Sequence, residues 1–219
     1  PDRCNAVFDV LRQRALLTPE RTRERIALAA QEHNLGLMRY LARSLPAAQA
    51  KQVNGHADFL ASPSIARAAG WPNDAQSRQI ALLGVIRLAK SDPSAAEILL
   101  EALQKPLSFD AAQLGQARNQ IALWSAASYL PESARRFAAV PPGAWDERLH
   151  EWHFREALAR GDETTALAAI AAMPEEQHSQ SRWRYFEARL RERAGDAAGR
   201  DLFGELSAEP SYYGFLAAE

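Results

Sequence analysis

Residues 182–219 read RWRYFEARLRERAGDAAGRDLFGELSAEPSYYGFLAAE, and their reading decides the fold. Trp183, Phe186 and Leu190 recur at the three- and four-residue spacing of a helix with one buried stripe. Gly195 suits the left-handed position after a helix end, and Asp196 suits the cap of the next helix. Leu202, Phe203 and Leu206 face back across that turn, and Glu209-Pro210-Ser211 enters a third helix that carries Tyr212, Tyr213 and Gly214. The pattern is a helical hairpin with a further helix behind it.

Working back from there, a second Gly-Asp pair stands at 161–162, 34 residues earlier. It too follows a Trp-bearing helix (Trp145–Arg160) and precedes an alanine-rich one (Thr164–Met173). That period matches a tetratricopeptide-like hairpin, whose copies bury apolar surface only against their neighbours. Cap-then-proline starts occur at Thr18-Pro19, Ser62-Pro63 and Asp92-Pro93. Helices are expected over Asn5–Leu17, from Pro19 to near His33, and over Leu35–Leu45 and Ala47–Ala61. A short one runs from Pro63 to Gly70, then come Asp74–Lys90, Pro93–Gln104 and Phe109–Ser128, with Ile98, Leu99 and Leu103 as the packing face of the second. Val140-Pro141-Pro142-Gly143 is the strongest break. The expected architecture is an all-α superhelix, a horseshoe or solenoid of antiparallel helix pairs with a concave side. The break at residues 140–143 divides the chain into residues 1–140 and residues 141–219, and the second stretch continues the superhelix as helical hairpins.

Alanine makes up about one-fifth of the 219 residues and no apolar-polar alternation is sustained, which favours helix over strand. Lys+Arg is 26 and Asp+Glu 27, a balance that argues against a general nucleic-acid binder. No apolar run approaches the roughly 20 residues that span a bilayer. The chain opens at Pro1 and stops at Glu219 inside an expected helix, so a piece of a longer exported protein is expected.

Two blocks resemble a known family. The run 182–219 is similar to the segment by which soluble lytic murein transglycosylases close their helical superstructure, with a Trp-Arg-Tyr-Trp-type helix and an aromatic-Tyr-Gly element. The run CNAVFDVLRQRALLTPERTRERIALAAQEHNLGLMRYLARSLP, residues 4–46, resembles that family's Cys-x-x-(Leu/Val)-Phe opening, Glu-Arg-x-Arg helix and Asn-x-Gly-Leu turn. Together the blocks cover about a third of the chain, in the family's order. The resemblance implies a periplasmic location, with residues 1–140 as the later part of a U-shaped superhelical domain and residues 141–219 continuing towards or into a linker domain. It implies a parent enzyme that cleaves MurNAc-GlcNAc bonds of peptidoglycan to 1,6-anhydro ends, with peptidoglycan and other cell-wall proteins as partners. The other function class open to such a fold is a free-standing tetratricopeptide-like adaptor that binds a protein on its concave face.

No catalytic, cofactor-binding or metal-binding residue is assigned, and each candidate has a plainer reading. The family's catalytic blocks (a Glu-Ser pair in a lysozyme-like domain, Gly-Leu-Met-Gln, Ala-Tyr-Asn-x-Gly) are not found. The one Glu-Ser pair, Glu132-Ser133, follows Pro131 at a helix start, where an acid favours the dipole. His150 and His153, with Glu147 and Glu151, are one residue short of the zinc-helix spacing and are expected as surface histidines. Arg182, Trp183, Arg184 and Tyr185, with Tyr212 and Tyr213, read first as packing and second as a sugar-stacking surface.

Cys4 is the only cysteine. It reads either as a small buried hydrophobe or, as the resemblance implies for a periplasmic protein, as half of a disulfide whose partner lies upstream. On the second reading the native chain carries a reactive thiol at Cys4 that dimerises under oxidation. Thiol titration before and after unfolding checks this, and a thiol that reacts only on unfolding returns Cys4 to the core.

Overall fold

The helix starts follow the side-chain caps. In the computed structural model, which describes residues 18–219 together with Val7, Phe8, Val10 and Leu11, Thr18 Oγ1 accepts from the Arg21 amide at 3.4 Å. Helix α1 (Pro19–Gln31) begins there. Asn34 accepts from the Leu37 amide at 3.0 Å to open α2 (Leu35–Ala42). Pro46 precedes α3 (Ala47–Ala61). Asp74 caps α4 (Ala75–Ala89) through the Ser77 amide at 2.7 Å, and Asp92 caps α5 (Pro93–Leu107) through the Ala95 amide at 2.9 Å. Each such cap is worth about 1 kcal/mol.

The expected start at Ser62-Pro63 is different. Ser62 ends α3 in an extended conformation and makes no cap, and only a 3-10 turn, Ile65–Ala68, follows before Gly70 at φ +74°. Most of the expected helix Asn5–Leu17, and Cys4 with it, lies outside the described residues.

The remaining elements are α6 (Ala111–Ala127), α7 (Ser133–Ala138), a 3-10 turn at Pro142–Ala144, α8 (Glu147–Ala159), α9 (Glu163–Ala171), α10 (Glu175–His178), α11 (Ser181–Arg193), α12 (Ala198–Ser207) and α13 (Tyr212–Ala217). Among the described residues there is no strand. The expected all-α class is thus borne out: successive helices joined by turns of a few residues fold back on one another, which is antiparallel pairing.

By contacts the chain forms two units, residues 1–113 and 114–219. In the first, α4 is the centre: Ile80, Ala81, Leu82, Val85 and Ala89 are buried and Leu83, Ile86 and Leu88 half-buried, so apolar surface wraps most of the helix. It packs on α3, α5 and α1. Against it α5 turns Ala96, Leu99, Leu100, Leu103 and Leu107, a stripe at three- and four-residue steps. Ile98, expected on that face, is 68% exposed because it stands off the stripe.

In the second unit, Ala122, Leu123 and Ala126 of α6 cluster with Phe137, Val140 and Leu149. A neighbouring cluster joins Phe154 and Ala157 of α8 to Ala166, Ala169 and Ile170 of α9 and to Trp183 and Leu190 of α11. Burying each large side chain of this kind contributes about 1.5–3 kcal/mol. The Val140–Gly143 break is real but is not a loose linker. Asn119 Nδ2 donates to the Ala144 carbonyl at 2.8 Å, and Trp145 Nε1 donates to that of Val140 at 3.2 Å.

The α11–α12 hairpin is held so close that Gly199 has no room for a side chain. A Cβ there would lie 2.7 Å from the Glu192 nitrogen and 2.8 Å from the Ala188 oxygen, both backbone atoms. Gly204 of the same helix has nothing within 4 Å. Gly199→Ala is expected to destabilise the chain by about 1–3 kcal/mol. Gly204→Ala is expected to stabilise it by roughly 0.5–1 kcal/mol. Urea-unfolding midpoints of the two variants measure both; equal shifts would contradict the packing described.

Candidate functional site

The aromatic and cationic residues of α11 divide between its two faces. Trp183 is 1% exposed and meets Phe154 edge-on at a centroid distance of 5.4 Å, so it belongs to the core. Arg182 lies over the Trp183 ring at 4.1 Å and reaches Glu151 at 3.2 Å. Arg184 is held by Glu209 and, at 2.8 Å, by Glu205. Ser181 donates to Glu209 at 2.7 Å, and this bond first, then Arg184, keeps the Glu209 carboxyl below the ordinary carboxylate range. Tyr185 touches Phe203 at 5.7 Å and Tyr213 at 5.5 Å, while Tyr212 is 69% exposed. Packing and ion pairing therefore occupy Arg182, Trp183, Arg184, Tyr185 and Tyr213, and of these candidates Tyr212 alone stays largely exposed, its ring edge-on to Tyr213 at 5.2 Å.

The histidines of α8 are not on the surface. His150 is buried and His153 half-buried, because Trp145 folds over both, with centroids at 4.9 and 5.4 Å, and Phe137 of α7 lies 4.7 Å from His153. Histidines three residues apart share a helix face, and here that face turns inward onto α7 and the 140–145 turn. His150 Nδ1 finds no hydrogen-bond partner among the described residues. Burial lowers the pKa of both imidazoles, and for His153 the neighbouring His150 and Arg160 lower it further. No group of three or more His, Cys, Asp or Glu side chains comes together among the described residues.

Glu132 and Ser133 separate. Glu132 is exposed at the start of α7 without a side-chain cap bond, whereas the buried Ser133 hydroxyl donates to the Leu130 carbonyl at 2.6 Å. One polar residue escaped the sequence reading altogether. His56, on the inner face of α3, is fully buried with its ring 4.5 Å from Trp71, and neither ring nitrogen has a hydrogen-bond partner among the described residues. Its only signal in sequence is its place in a stripe with Val53, Phe59 and Leu60.

No family model matches the sequence, and no curated protein sequence matches it. Solved structures do match. An inactive mutant of the lytic transglycosylase Slt from Pseudomonas aeruginosa aligns with all of this chain at 29% identity and a TM-score of 0.80. The 70-kDa soluble lytic transglycosylase in complex with bulgecin A aligns at 25% identity and 0.84, again over 100% of this chain. The 70-kDa enzyme from Escherichia coli aligns at 24% and 0.83 over the same span. This chain is similar to soluble lytic transglycosylases throughout. The resemblance read from two blocks thus extends across the middle, where the sequence offered only helical rhythm. The chain spans 36% of the length of each of those transglycosylases.

His56 gives the unit a pH-dependent weakness. Desolvation pushes its pKa down to about 4, against the ordinary 6.5, with Asp74 opposing. The unfolded chain takes the proton as pH falls below 6.5 and the folded chain does not until about 4. Stability from this group is therefore whole above the upper value and lost as pH falls to the lower, on the order of 2–3 kcal/mol. His56→Phe should remove the largest single share of the stability lost between neutral pH and pH 4, measured by urea unfolding at several pH values. An unchanged pH profile in that variant would refute the assignment.

Proposed function

We propose that this chain is a non-catalytic superhelical segment of a periplasmic lytic transglycosylase. The parent enzyme would cleave the MurNAc-GlcNAc bond of peptidoglycan to leave a 1,6-anhydro end. In this reading residues 1–140 belong to the later part of the superhelical domain. Residues 141–219 continue it towards or into the linker domain. The segment scaffolds the catalytic domain and offers its surface to glycan or to other cell-wall proteins. The observation that carries the reading is the match of the whole chain, at TM-scores of 0.80–0.84, to 36% of soluble lytic transglycosylases.

The chemistry of the side chains agrees. Glycosidic cleavage needs a carboxylic acid kept protonated in a shielded cleft so that it can donate to the leaving oxygen. Among the described residues the carboxyls with a shifted pKa, Glu20, Asp74, Asp162, Asp196 and Glu209, are all lowered, which favours the ionised form and is the opposite of what that acid requires. The two most buried glutamates are paired: Glu156 accepts from Arg160 at 2.6 Å, and Glu187 accepts from Arg191 at 2.9 Å and meets His178 at 2.9 Å.

The expected result is that this chain, incubated with purified sacculi, releases no anhydro-muropeptides, while a longer form carrying the catalytic domain does. Weak sacculus binding without turnover fits the proposal. Release by this chain at a rate comparable with the longer form, surviving repurification, would place the acid within these 219 residues and overturn it.

A further inference from the structure

The turn between α7 and α8 is fastened at both ends of its short path. On the α6 side, Gly115 lets the turn lie directly on the helix: a Cβ there would come within 2.8 Å of Ala144 Cβ and 3.3 Å of Pro141 Cγ. Asn119 Nδ2 then binds the Ala144 carbonyl at 2.8 Å. On the α8 side Val140 shares the buried cluster of Leu149, and Trp145 adds the ring contacts. Its indole donates to Val140 within the turn, and its ring packs on Phe137 at 5.8 Å, His150 at 4.9 Å and His153 at 5.4 Å. Two of its three ring neighbours are thus titratable and stand one helical turn apart on the same face.

We propose that Trp145, His150 and His153 form an acid-released latch, which holds the 140–145 turn against α8 while both imidazoles are neutral and frees it when they take protons. A neutral imidazole packs against an indole like any other small aromatic ring. Its cation must keep a charge where water is excluded, and two such cations face each other. The charged groups that act on the pair are few. Asp146 at the start of α8 favours the cation of His150, and Glu156 favours that of His153, but Glu156 already accepts from Arg160. Arg160 opposes protonation of His153. On α7 the buried Arg136, next to Phe137 in sequence, donates to Ser125 of α6 at 2.9 Å. From α6 itself come the apolar Ala122, Leu123 and Ala126, the half-buried Trp124 and the amide of Asn119. Burial thus outweighs the two acids, both imidazoles titrate below their ordinary 6.5, and the latch is shut at neutral pH and opens on acidification.

Fluorotryptophan labelling of the whole chain tests this, because 19F spectra report each of the five indoles separately and Trp145→Phe assigns one of them. The Trp145 resonance should shift as pH falls, in step with the His150 and His153 imidazole signals and with a midpoint below 6.5, while the Trp183 resonance stays in place over the same range. The double variant His150→Phe with His153→Phe should lose the Trp145 shift. His153→Phe alone, at the half-buried position, should reduce it and serves if the double variant fails to fold. The proposal is overturned if the imidazoles titrate while Trp145 does not move, if Trp145 moves equally in the variants, or if all five indoles shift together as the chain unfolds.

Discussion

Four of the corners among the described residues rest on one backbone device, a single residue in the left-handed region flanked by two amide bonds that close the helix before it. At Gly161 and Gly195 the φ values are +73° and +77°, and the next residue, Asp162 or Asp196, donates its amide back five residues at 2.9 Å. His33 and Tyr129 occupy the same place at φ +53°, with Asn34 and Leu130 donating back five residues at 2.7 and 3.0 Å. A residue with a Cβ pays roughly 1–2 kcal/mol for that conformation. The corner is therefore fixed by the packing of the helices on either side and is kept even where glycine is absent. Tyr129 and Gly161 are 32 residues apart, close to the 34 that separate the two glycines, so the repeat of corners extends beyond the Gly-Asp pairs that reveal it.

Once the corners reverse the chain, close approach does the rest. Gly84 faces the Phe59 ring, Gly115 faces Ala144 and Pro141, and Gly199 faces the backbone of α11. Each lets one element lie nearer to the next than alanine would allow. The same reversal puts a Glu-Arg pair beside the Gly-Asp corner in both later hairpins. Glu156, Arg160 and Asp162 form one such group, and Glu187, Arg191 and Asp196 the other. The aspartate in each also accepts a backbone amide of the following helix, which is the main reason its carboxyl stays below the usual range.

The functional character of the chain follows from where its polar chemistry has gone. Several of its cations and acids pin one helix to another, as Arg184 pins α11 to Glu205 and Glu209. Its three most buried histidines, His56, His150 and His153, sit against aromatic rings instead of facing a cleft. This distribution is what the proposed scaffold role would ask of the chain, which spans 36% of the length of the lytic transglycosylases it resembles.

The sequence alone determined the helical class, the capped starts at Thr18 and Asp92, and the hairpin corners at Gly161 and Gly195, because caps, prolines and glycines act on residues within a turn of themselves. It determined as well that Trp183, Phe186 and Leu190 share an inner face, since helical spacing alone puts them there. It did not reveal that Ser62-Pro63 opens only a 3-10 turn, that Ile98 points to solvent, or that His33 and Tyr129 turn corners without glycine. Nor did it place His56, His150 and His153 in apolar surroundings. Those outcomes depend on which neighbouring element covers a given face, and that is decided only when α4 meets α3 and α5 and when the 140–145 turn folds onto α6 and α8. A histidine reads the same on a wet face or a dry one, and only the packed neighbour, Trp71 or Trp145, distinguishes them.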